Sequence, residues 1–189
     1  MVDGRACCFI GHRNAKDTVS LRTKLRGTIQ TLIEEKGVTR FLFGSRSHFD
    51  NICHQEVTKM QAKYPHVKRI AYTCKSEYAC SKEEKEELER IARRVTSWDV
   101  RLKDYDGEEQ SERIYTAGKA SYVERNEDMI NASDFCIFYY DAEYLPPMRE
   151  KSKAEGLYQP KSGTGVAFAY AQQRKRGGKD LEIYNLWER

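Results

Sequence analysis

Phe135-Cys136-Ile137-Phe138-Tyr139-Tyr140 is a continuous apolar run without a charged residue. A strand open to water on one face alternates apolar and polar side chains, so an unbroken run of this kind predicts a strand covered on both faces, as in a parallel sheet. Four other short, mainly apolar runs, rich in β-branched and aromatic residues, also read as strands: Ala6 to Ile10, Thr39 to Phe43, Val67 to Thr73, and Leu181 to Leu186. Longer polar segments separate them and read as crossover helices.

The helical segments carry their own signals. Between the first two runs, Leu21, Leu25, Ile29, Leu32 and Ile33 recur at helical spacing, and Gly37 stands where a glycine would end the helix. Asp50 to Tyr64 continues similarly, with Ile52, Val57 and Met60 apolar, until Pro65 stops it. Strand, helix, strand, helix, strand forces parallel neighbours joined by right-handed crossovers. The expected fold class is therefore α/β: a Rossmann-like, doubly wound, mainly parallel sheet with helices on both faces.

The chain has 189 residues, which suits a single domain over 1–189 built on one core. Two stretches resist regular assignment and are expected to be loop insertions: 103–121, polar with Gly107 and Gly118, and 142–162, with Pro146, Pro147, Gly156 and Pro160. Long connections in compact domains are often binding loops. The run Ser81 to Val95 reads as a solvated helix, with Ser81 and Glu84 as a capping box and Glu86–Arg90 and Glu89–Arg93 at i,i+4 spacing.

Composition excludes some function classes. No stretch approaches the roughly 20 apolar residues of a membrane-spanning helix, and the start lacks the apolar core of a signal peptide, so a cytoplasmic protein with no membrane partner is expected. None of the cysteines Cys7, Cys8, Cys53, Cys74, Cys80 and Cys136 forms a C-x-x-C pair, and reduced, mostly buried thiols are the expectation. Lys+Arg 33 against Asp+Glu 29 gives +4, which permits an anionic ligand but is weak for a dedicated nucleic-acid binder.

In a doubly wound sheet, ligands bind beyond the carboxyl ends of the strands. The turns there read Gly11-His12-Arg13-Asn14, Gly44-Ser45-Arg46-Ser47 and, past the second insertion, Ser162-Gly163-Thr164-Gly165. The first is not G-x-G-x-x-G, and G-x-x-x-x-G-K-[ST] is absent, which disfavours dehydrogenase and P-loop chemistry. The strongest local signal is Lys161-Ser162-Gly163-Thr164-Gly165 ahead of Val166-Ala167-Phe168-Ala169-Tyr170-Ala171. It places glycines and hydroxyls at a helix N-terminus, where free N–H groups and the helix dipole favour a phosphate.

Arg13, Arg46 and Arg125 fall at or near the same edge, and a guanidinium can grip phosphate with two parallel hydrogen bonds. His48, Asp50, Cys53 and His54 are metal-ligand types, but their spacing does not suit a shared ion, and neither metal nor cofactor is expected. Asp50 reads as a helix N-cap or as a polar group facing the ligand. Cys7 and Cys8 precede the pocket as thiol candidates, and His12 could serve as a general base or a ligand donor.

The ordered set Cys7-Cys8-Phe9-Ile10-Gly11-His12-Arg13, Phe43-Gly44-Ser45 with Phe49-Asp50, Arg125-Asn126-x-x-Met129, and Ser162-Gly163-Thr164 resembles the SLOG superfamily, specifically its YpsA-like branch. The resemblance runs from Cys7 to about Leu186 and implies a Rossmann-like domain related to the lonely-guy phosphoribohydrolases and the DNA-processing proteins. It implies a small-molecule, nucleotide-like ligand, with Gly11, His12, Arg13, Gly44, Ser45, Asp50, Arg125, Asn126, Gly163 and Thr164 as the pocket. The phosphoribohydrolases carry P-G-G-x-G-T-x-x-E, whereas Ala167 stands here where their glutamate would be, and Pro160-Lys161-Ser162 replaces the double glycine.

Lonely-guy-type hydrolysis is thereby disfavoured, and binding or sensing of a phosphate-bearing nucleotide derivative is the first expectation. An N-glycosidic hydrolase recruiting Asp50, His12 or Glu56 is the alternative, and single-stranded DNA binding the third. Apolar helix faces could pair two copies, and are equally expected to cover the sheet.

Overall fold

A computed structural model describes residues 4–44, 47–74, 103–111, 119–145 and 162–188. Its strands are β1 (Arg5–Gly11), β2 (Val38–Phe43), β3 (Lys68–Thr73), β4 (Gly107–Gln110), β5 (Phe135–Tyr139) and β6 (Glu182–Asn185). Its helices are α1 (Val19–Glu34), α2 (His48–Gln61), α3 (Lys119–Asn131) and α4 (Gly163–Arg176). The expected helix from Ser81 to Val95 lies outside the described residues.

The strands form one sheet in the order β4-β3-β2-β1-β5-β6, and every pairing is parallel. The fold is thus α/β, parallel and Rossmann-like. From β1 the chain steps outward through β2 and β3 to β4, then returns to the other side of β1 to lay down β5 and β6. The winding reverses between β1 and β5, the place where open α/β sheets form a crevice.

Alternate residues of β1 feed two separate cores. Cys7 and Phe9 pack with the inward faces of α1 and α2, through Leu25, Ile29, Phe49 and Ile52. Cys8 and Ile10 pack on the opposite face with Met129 and Ile130 of α3 and Ala167 and Ala171 of α4. This explains the unbroken apolar runs: each residue of β5 is buried, because helices cover both faces of the sheet. Phe9 lies between Phe41 and Phe43, at centroid distances of 5.7 and 5.0 Å.

Helix ends follow local chemistry. The hydroxyl of Thr18 accepts from the Leu21 amide at the start of α1, and Gly37 turns the chain into β2 at φ +69°. The start of α2 differs from the expected one. Ser47 is its N-cap and accepts from the Asp50 amide at 3.0 Å, so Asp50 is not the cap but lies inside the first turn. The helix ends at Gln61, and the residues before Pro65 form turns.

Two further elements differ from the sequence expectation. Strand β4 and the first residues of α3 both occupy the stretch 103–121, read as an insertion. β4 pairs only with β3 and alternates half-buried and exposed residues, so its sequence GEEQ carries no apolar signature. Ion pairs anchor it: Arg40 of β2 with Glu109, and Arg69 of β3 with Asp106, where Arg69 Nε donates to Oδ2 at 3.1 Å. Among the described residues, no helix is long and apolar enough to cross a membrane.

Candidate functional site

A cleft of about 450 Å³ opens at the carboxyl ends of β1 and β5, within the range of about 300–1,000 Å³ usual for small-molecule sites. Its floor is the turn after β1, from Ile10 through Gly11, His12 and Arg13 to Asn14. One wall is α3, through Tyr122, Arg125 and Asn126, and another is the start of α4, through Ser162, Gly163 and Thr164. Ser47 and Tyr144 complete the described lining.

At the α4 terminus, Ser162 has extended backbone and its hydroxyl accepts from the Gly165 amide at 3.0 Å. The first helical bond runs from the Val166 amide to the Ser162 carbonyl. The Gly163 and Thr164 amides belong to the first turn, where an α-helix supplies its N–H groups with no carbonyl of its own. Among the described residues, a Cβ placed on Gly163 would meet nothing within 4 Å, and Gly163 lines the cleft. Thr164 is buried beside it.

Arg125 brings a positive charge to the same cleft while only 4% exposed. Its guanidinium carbon lies 5.1 Å from the ring centre of Tyr122, one helical turn earlier on α3, a cation–π arrangement that restrains the group. Arg13 lines the cleft and is exposed, and its carbonyl accepts from the His48 amide at 2.9 Å, tying the turn after β1 to α2.

His12 is buried and held at its ring. Its Nε2 is 2.9 Å from the Asp141 amide, which donates to it, so we assign the ring proton to Nδ1. Burial holds the imidazole below its ordinary value, with the Asp141 carbonyl opposing that effect, and the neutral ring fits its acceptor role. With Nε2 engaged in this way, His12 anchors the turn after β5 rather than offering that nitrogen to a substrate.

The cleft therefore gathers Gly11, His12, Arg13, Arg125, Asn126, Ser162, Gly163 and Thr164. Gly44 and Asp50 lie outside its lining. Gly44 serves packing: a Cβ there would stand 2.6 Å from Met129 Sδ and 2.9 Å from both Arg125 Nε and the Tyr72 carbonyl. Asp50 is fully buried, with Oδ2 3.6 Å from Lys103 Nζ, so it does not face the cleft as the sequence suggested. Ser45 and Arg46 lie outside the described residues.

Glu56 is also fully buried and away from the cleft, held by Arg22 at 2.6 Å, Lys59 at 2.8 Å and Arg26 at 3.0 Å. The metal-ligand types near α2 diverge: His48 Nδ1 is 2.8 Å from the Ala15 carbonyl, while His54 Nε2 is 3.0 Å from that of Asp104. Cys7 and Cys53 are fully buried, and burial first of all pushes both thiols well up, which disfavours a reactive thiolate.

No family model matches the chain, and no curated protein does. Its site is therefore read from its own geometry, which includes five lining residues that the sequence reading did not select: Ile10, the last residue of the first apolar run, and Asn14, Ser47, Tyr122 and Tyr144. Asn14 and Ser47 belong to turns already singled out. Tyr122 precedes Arg125 by three positions and so shares its helical face. Tyr144 is one of two tyrosines, with Tyr158, in the stretch read as an insertion, and only its position just after β5 hinted at a role.

Proposed function

We propose that this chain binds or senses a phosphate-bearing nucleotide or nucleotide derivative in the cleft between β1 and β5, and that it belongs with the YpsA-like branch of the SLOG superfamily. One observation carries the reading: buried Arg125 and the first turn of α4 line the same cleft at the reversal of the winding. A guanidinium gives two parallel donors to a phosphate, and helix amides add donors aligned with the positive end of a dipole. Thr164 contributes a hydroxyl.

Binding is favoured over N-glycosidic hydrolysis because the described lining contains no carboxylate and no thiol. Ala167, at the position of the phosphoribohydrolase glutamate, is 2% exposed and packs against the sheet. Asp50 and Glu56, the acids that could have substituted, are engaged with cations elsewhere.

The test is thermal stabilisation of the purified protein by AMP, ADP-ribose, NAD, cyclic nucleotides and short single-stranded DNA, in wild type, Arg125→Ala and Thr164→Val. A ligand at 100 times its dissociation constant adds about 2.7 kcal/mol when it binds only the native state. A shift from a nucleotide, reduced in both variants, supports the reading. No shift with any compound contradicts it, and stabilisation by DNA alone, lost steeply with salt, replaces it with nucleic-acid binding.

A further inference from the structure

The phosphate-binding features occupy only one part of the cleft; the turn after β5 supplies another. Asp141 organises this turn at both of its groups: its carboxylate accepts from the Glu143 amide at 2.8 Å and its carbonyl from the Tyr144 amide at 3.3 Å. The Asp141 amide is fixed in turn on His12 Nε2. The His12 amide donates to the Tyr139 carbonyl at 3.2 Å, so the histidine backbone is tied to β5 as well. The outcome is a Tyr144 ring set 4.3 Å from the buried His12 ring, tilted by 39°, half-buried and lining the cleft.

The neighbouring aromatics are committed elsewhere. Tyr140 stacks on Phe168 at 4.6 Å and belongs to the packing around the second core, and Tyr122 carries the Arg125 guanidinium near its face. Tyr144 is thus the cleft-lining ring whose one described ring neighbour, His12, is itself held from behind. A rigid aromatic platform of this kind recognises flat π-faces at little cost in conformational entropy, and every nucleobase presents one.

We propose that Tyr144, backed by His12, is the base-stacking residue of the cleft, so that the ligand class is a nucleoside phosphate rather than a sugar phosphate without a base. The inference rests on the phosphate-binding reading above and adds to it a separate recognition element. Phosphate held at α4 and Arg125 would place the ligand's far end toward this turn across the same cleft.

The experiment compares AMP, UMP and ribose 5-phosphate by calorimetric titration against wild type, Tyr144→Phe, Tyr144→Ala and Tyr122→Ala, with circular dichroism confirming each fold. AMP should bind roughly tenfold or more tightly than ribose 5-phosphate, with UMP between them. Tyr144→Ala should erase that advantage while leaving ribose 5-phosphate affinity unchanged, and Tyr144→Phe should retain it. Equal affinity for AMP and ribose 5-phosphate in wild type overturns the proposal, as does a base advantage lost in Tyr122→Ala but kept in Tyr144→Ala. If none of the three probes binds, the phosphate-binding reading itself has failed, and this inference with it.

Discussion

Arg125 lies across Gly44: its Nε is 2.9 Å from the point at which a Gly44 Cβ would stand. The backbone at Gly44 has no positive φ, so the requirement is for space rather than conformational freedom. A methyl group there must displace the guanidinium, the Met129 sulfur, or the strand carrying the Tyr72 carbonyl. Gly44→Ala should cost about 1–3 kcal/mol in urea denaturation, typical of an overpacked core, and should weaken AMP binding by moving Arg125. Wild-type stability in this variant would show that the contact is not tight.

The Asp50–Lys103 pair joins the first turn of α2 to the segment leading into β4, with side chains 1% and 7% exposed. Removing one partner of a buried pair leaves a charge in a poor solvent, whereas replacing both with apolar groups avoids that penalty. Lys103→Met should therefore destabilise by about 3–5 kcal/mol, and Asp50→Leu with Lys103→Met should recover most of the loss. Denaturation of the three proteins measures this directly; a neutral Lys103→Met would contradict the pairing.

His54 gives a pH dependence with a defined sign. Burial, helped by the charges of Lys103 and Arg69 and opposed by its bond to the Asp104 carbonyl, lowers its pKa to about 4 from 6.5. The unfolded chain takes up the proton first, so the stabilisation is present above pH 6.5 and is lost as pH falls towards 4. The shift corresponds to about 3 kcal/mol. Gln in place of His54 keeps a donor for Asp104 but cannot titrate, so His54→Gln should flatten the fall in stability over this window. Some slope should remain, because burial also lowers the pKa of His12. An unchanged slope would contradict the account.

The parallel sheet was legible because burial on both faces marks the sequence of β1, β5 and most of β2 and β3; the fifth apolar run coincides with β6, an edge strand whose residues are half-buried or exposed. β4 left no mark, since an edge strand held by Arg40 and Arg69 needs no apolar side chains. α3 was obscured for a reason bound up with the site. Ser121, Glu124 and Arg125 are all buried on it, so part of its inward face is polar and lacks helical apolar spacing.

The site was legible at its turns and not across them. Ser162-Gly163-Thr164 announces a helix start in one dimension, and Arg13 and Arg125 announce charge. The separation of Asp50 from the cleft depends on Lys103, fifty-three positions away, and Tyr144 gains its place through His12 and Asp141. Such partnerships arise only when the sheet brings distant turns together.

Gly163 offers the most direct test of ligand binding at the α4 terminus, because no described residue comes within 4 Å of its Cβ position and its φ is not positive. Alanine is the better helix former, so Gly163→Ala should leave the melting temperature unchanged or raise it, while its methyl group narrows the approach to the first-turn amides. Calorimetric titration of AMP into both proteins should give a dissociation constant about tenfold weaker for the variant, equivalent to about 1.4 kcal/mol. Equal affinities in two equally stable proteins would contradict a phosphate seated on this helix.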